Sequence, residues 1–242
     1  MNRRSLIHGL AIAPVAGSAF GTAKPSPAAE YDYPYLDYWS EESLRDRRNR
    51  LSIFGTEPAL EQDIKQAEGI IAAAPTDSPV AVMNYFADLR VVGSTGERFN
   101  RRWRRYENLV IVWFFHATKT QPTGDCTSWC AAFLSWSLEQ AGLKSKHSAS
   151  SQAYLNFGTE TKTPTLGDIV VFQNIDNKDR GHVALFLGET PVSVHILGGN
   201  QGKCSEAIPS CPPGFPATEI GREWRDKVDE HQRVVSYRRY SI

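Results

Sequence analysis

Between Trp129 and Gln140 apolar residues recur at helical spacing. Trp129, Ala132, Phe133 and Trp136 form one stripe, and Cys130, Leu134 and Leu138 form a second. With both sides apolar, the pattern predicts a buried helix. Thr127 or Ser128 can cap its start, and Gly142 closes its end. Downstream the period shortens to that of strands in "DIVVF" (168–172), "HVALFLGE" (182–189), "VSVHILGG" (192–199) and "RVVSYRRY" (233–240). Upstream, from about residue 40 to 105, the chain reads as helical. Thr56 and Ser78 stand before Pro58 and Pro79 as starting signals for "ALEQDIKQAEGIIAAA" and "VAVMNYFADL". The expected class is α+β: a buried, Cys-bearing helix packed on an antiparallel sheet, preceded by a helical extension. The expected segments are an export signal at 1–23, a linker or arm at 24–39, the helical extension at 40–106 and the α+β domain at 107–242.

Charge excludes some partners. Lys+Arg and Asp+Glu both number 27 in 242 residues, so no global imbalance points to nucleic acid or an anionic membrane. The basic run "RFNRRWRRY" (98–106) is read as a solvated helix face. The start, "MNRRSLIHGLAIAPVAGSAFGTA", has a positive end, a mildly apolar middle and small residues at 21–23, the pattern of an export signal. Arg3-Arg4 before Leu6-Ile7 is similar to a twin-arginine signal. No window is apolar and long enough to span a bilayer. The expectation is therefore an exported bacterial protein, periplasmic or extracellular, with no stable membrane span. Export frames the four cysteines. Cys204 and Cys211 bracket a short loop and are expected to pair, which leaves Cys126 and Cys130. No Cys or His spacing suits zinc, so neither a metal nor a cofactor is expected.

Cys130 falls in the first helical turn, where free N–H groups favour a thiolate and can steady an oxyanion. Cys126 lies before the helix and gains less, though it competes as nucleophile. His182 opens a strand. Whether the turn after Glu189 holds two residues or three, His182 faces Gly199 or Asn200, so Asn200 lies beside it, ~5 Å away across the ladder. An Asn oxygen there can accept the ring N–H and fix its tautomer. His195 is five positions from Asn200, and on a regular strand it points to the other face. Singly, each residue has a plainer role: a core Cys, a hydrogen-bonded His, a turn Asn, and Asp168 as a turn residue. Together Cys130, His182 and Asn200 form the set a Cys-His nucleophile needs.

The segments "WCAAFLSWSLEQAG", "LGDIVVF", "GHVALFLGE" and "ILGGNQ", in that order, resemble the CHAP family (cysteine, histidine-dependent amidohydrolases/peptidases), related to NlpC-type enzymes. The resemblance covers roughly Asn108 to Tyr240. It implies a papain-like fold, Cys130 as nucleophile, His182 as base and Asn200 as the polar third residue. Asp125-Cys126 is similar to the "DC" that opens the NlpC-type motif, but stands four residues earlier. The implied activity is hydrolysis of an amide bond in bacterial peptidoglycan, with the wall or its stem peptides as partner. A transglutaminase-like acyl transferase and a catalytically silent wall-binding protein remain the alternatives.

Overall fold

The computed structural model describes residues 59–103, 105–120, 122, 127–202 and 219–241. The expected export signal and arm, the first part of the helical extension, Cys126, Cys204 and Cys211 lie outside the described residues.

Among the described residues, three helices precede the Cys-bearing one. Helix α1 spans Glu61–Ala72, and Ala67 and Ile70 on its inner stripe are buried. Asp63 on the same stripe accepts the Ser94 N–H at 2.8 Å and the Ser94 hydroxyl at 2.5 Å, which ties down the loop at 93–96. Helix α2 spans Pro79–Ala87 and starts as its sequence predicts: the Ser78 hydroxyl caps Ala81 N–H at 3.1 Å, and Pro79 takes the first helical position. Helix α3, Leu109–Trp113, is capped by Asn108 and runs into a 3₁₀ turn at Phe114–Ala117. Helix α4 is Cys130–Gln140. It ends in a Schellman motif, with Gly142 at φ 74°, Gly142 N–H on Glu139 O and Leu143 N–H on Leu138 O. Phe86 of α2 meets Phe133 and Trp136 of α4 edge to face, with centroids 5.7 and 5.5 Å apart. The helices before α4 thus share one core with it and with the sheet. Residues 88–106 contain no helix among those described: Phe99 and Trp103 pack at a tilt in the core, centroids 4.8 Å apart, and Arg101 bridges to Glu219. The basic run is therefore not a helix face.

A six-stranded antiparallel sheet has the order β1-β6-β2-β3-β4-β5, with β1 Thr159–Thr161, β2 Ile169–Asn174, β3 Gly181–Glu189, β4 Ser193–Gln201, β5 Glu219–Asp226 and β6 Gln232–Arg239. Four of these are the predicted runs. Strands β1 and β5 carry no apolar run to announce them. β5, "EIGREWRD", lies at the sheet edge, where charged side chains block further pairing. The sheet curls. Val234 N–H of β6 donates to Lys227 O just past β5, at 2.7 Å. One face, with Val171, Val183, Leu185 and Leu197, packs on the helices. The inner face of the curl buries Val170, Phe172, Ala184, Phe186, Val194 and Ile196. Asp168 serves the turn before β2: its carboxylate accepts Thr165 N–H at 2.7 Å and takes Arg239 at 3.0 and 2.7 Å. No helix among the described residues is long and apolar enough to cross a membrane.

Candidate active site

Cys130 is the first residue of α4, which starts one position later than a Ser128 cap would place it and two later than a Thr127 cap. Trp129 takes the N-cap position, and its side chain makes no capping hydrogen bond. The backbone N–H groups of Cys130, Ala131 and Val183, the residue after His182, each act to lower the pKa of the Cys130 thiol. The ladder between β3 and β4 ends at Leu185↔Leu197, so the start of β3 is open where the helix start meets it. Cys130 is buried, and burial pushes its thiol above the usual range; the three N–H groups and the charge of Arg225 act in the opposite sense. Among the described residues Cys130 is a free thiol.

His182 lies on the inner face opposite Phe172, with ring centroids 6.1 Å apart. Burial holds its pKa well below the ordinary value. The nearby positive charge of Arg225 adds to this, and Gln201 opposes it. At neutral pH the ring is uncharged, ready to accept a proton. No hydrogen bond of full geometry closes around its Nε2, which is buried without a partner among the described residues, as is Gln201 Oε1.

The side chain that acts on His182 is thus Gln201, one residue beyond Asn200, and a β-bulge is the reason. Gly198 pairs with Gly221 and Gln201 with Glu219, so three steps on β4 match two on β5. Asn200 is the extra residue, with φ 59°, a left-handed conformation that Asn tolerates better than most residues. On a regular strand Asn200 would join Ile196 and Gly198 on the inner face. The extra residue shifts Gln201 onto that face and leaves Asn200 Oδ1 buried and unpartnered among the described residues. Gln201 Nε2 donates to Gly198 O and Gly221 O. His195 lies on the other face, as its parity predicts, and stacks on Trp224 at 4.8 Å.

Two further groups of the inner face escaped the sequence reading because β5 did. Arg225 stands opposite Val194, its guanidinium carbon 5.7 Å from the Phe172 ring centroid. Glu223 receives the Arg225 Nε–H and, on its other oxygen, the Gly202 N–H at 3.2 Å. The only sequence signal was the alternation Gly221, Glu223, Arg225 against Ile220, Arg222, Trp224. The described residues contain no group of His, Cys, Asp and Glu side chains arranged to hold a metal ion.

A Cys-bearing helix start packed on a curled antiparallel sheet, with a His on the adjoining strand, defines an α+β, papain-like arrangement. Residues 119–200, about a third of the chain, match the model of the CHAP domain. That span contains Cys130 and His182 and ends at Asn200. The CHAP match points to peptidoglycan-related amidase or peptidase chemistry. No curated protein and no solved structure matched the chain.

Proposed function

We propose that the protein is an exported cysteine amidohydrolase/peptidase that cuts an amide bond of bacterial peptidoglycan. The observation that carries this reading is Cys130 as the first residue of a buried helix, inside the CHAP-matching span that also contains His182. Cys130 attacks the amide carbonyl as thiolate while His182 takes the thiol proton. His182 then passes that proton to the leaving amine, the C–N bond breaks, and a thioester remains. Water, deprotonated by His182, attacks the thioester, releasing a carboxylic acid and restoring the thiol. Backbone N–H groups at the helix start are placed to receive the oxyanion. The third place of the triad belongs to the amides closing β4. Asn200 holds the family's position, and Gln201 is the amide that acts on the ring's protonation.

On this reading residues 1–23 direct export to the periplasm or beyond, where the wall lies, and the helices Glu61–Ala72 and Pro79–Ala87 precede the catalytic domain. The test is digestion of purified peptidoglycan by wild type, Cys130→Ala and Cys126→Ala, with soluble products identified by mass. New amine and carboxyl termini from wild type and Cys126→Ala alone are expected. Loss only in Cys126→Ala moves the nucleophile. Cross-linked products favour acyl transfer, and no product from any reduced form favours a silent binder.

A further inference from the structure

Arg225 is fixed on two sides. Its Nε is bound by Glu223, which the Gly202 N–H holds in turn, and its guanidinium carbon lies over the Phe172 ring. The same Phe172 ring faces His182 across the β2–β3 ladder. The guanidinium makes no other hydrogen bond among the described residues, so the edge formed by its two terminal nitrogens is unused. The side chain keeps 20% of its surface exposed, on the face that carries His182. A pre-oriented guanidinium with a free edge matches the two oxygens of a carboxylate, and the ordering cost of such an arginine is already met by the fold. An ion pair that served only the fold would need neither the contact with Phe172 nor the free edge beside the base.

We propose that Arg225 receives a carboxylate of the substrate, so that the protein acts on peptide amides bearing a free carboxylate close to the scissile bond. This rests on the reading of Cys130 as nucleophile. Bacterial stem peptides offer such groups as side-chain or terminal carboxylates, and amidated forms lack them.

The test uses two alkylating probes, iodoacetate and iodoacetamide, on the full chain, with the product located at Cys130 by fragment mass. The probes differ in one carboxylate. In wild type, iodoacetate should react with saturation kinetics that acetate competes away. Arg225→Gln should lower the iodoacetate-to-iodoacetamide rate ratio about 10-fold, one bidentate charged contact's worth, and abolish saturation; Arg225→Lys should retain part of both. An Arg that merely shifts the thiol's ionisation would move both probes alike, which overturns the proposal. So does a ratio unchanged in Arg225→Gln. A Cys130 closed to both probes overturns it too, because a substrate carboxylate must enter by the same mouth. In parallel, peptidoglycan with its carboxylates free is compared with the same wall amidated by carbodiimide and ammonia. Wild type should prefer the free form and Arg225→Gln should not. Saturable iodoacetate labelling without digestion of either wall would sink the wall reading and leave the carboxylate site standing.

Discussion

Gln201 presents its amide oxygen, not its nitrogen, to His182. Nε2 donates to Gly198 O at 3.1 Å and Gly221 O at 2.6 Å, which uses both amide hydrogens and leaves Oε1 as the free end beside the ring. An amide oxygen favours the protonated ring and fixes which nitrogen carries hydrogen, so Gln201 works against the burial and the Arg225 charge that hold His182 neutral. Gln201→Ala should lower kcat/KM by about 10- to 100-fold, the scale of a lost orienting hydrogen bond, and move the acid limb of its pH profile to lower pH. Gln201→Glu should move that limb upward. If Asn200→Ala costs the larger factor and Gln201→Ala leaves the limb in place, Asn200 is the orienting group.

The thiol of Cys130 gives a second expectation. Burial raises its pKa more than the nearby N–H groups lower it, so at pH 7 the resting protein holds a thiol. Alkylation at Cys130 by iodoacetamide should therefore be slower at pH 7 than for an exposed cysteine, and should keep rising above pH 9. A rate already flat between pH 6 and 8 would instead mark a standing thiolate.

Much of this was legible in the chain before any coordinates. The Cys130 helix and the runs of β2, β3, β4 and β6 are apolar on one face or both, and periodicity reports such burial directly. Strand β5 stayed hidden because only Ile220 among its residues is fully buried; its charges serve an edge and a site, not a core. The place of Gln201 on the inner face was hidden for a different reason. Counting along β4 assumes one residue per step, and the left-handed Asn200 breaks that count. The paired Gly198-Gly199 hinted at such a break without locating it.

Those two glycines carry the next prediction. A Cβ at Gly198 would press on Ala184, and one at Gly199 would fall within the Trp129 ring, with Phe133 behind it. Trp129 and Phe133 are fully buried and cannot retreat. Gly199→Ala should cost about 3 kcal/mol of stability, the upper range for overpacking a rigid core, and should disturb Cys130 through its neighbour Trp129. A variant with unchanged urea midpoint would mean that β4 and α4 are packed less tightly than described.

Acid should weaken the fold before most carboxylates titrate. His116 is pushed down to about 4 by burial, and His182 is held well below its ordinary value by burial and by Arg225. Both imidazoles take up protons near pH 6.5 in the unfolded chain but resist them in the folded one, so the unfolded state binds more protons as pH falls. Stability is thus highest above pH 6.5 and declines through the window from 6.5 towards 4. Over that window His116 alone accounts for a loss of about 3 kcal/mol. Asp168 acts lower down. Its burial raises its pKa, but the paired contacts from Arg239 and the Thr165 N–H more than compensate, so its contribution is complete above the ordinary carboxylate range and is lost only as pH falls below it. Urea unfolding at pH 7, 6, 5 and 4.5 should give a falling midpoint in wild type and a flatter one in His116→Gln. An equal slope in the two proteins would mean that the His116 ring is already protonated, or already open to water, in the folded state.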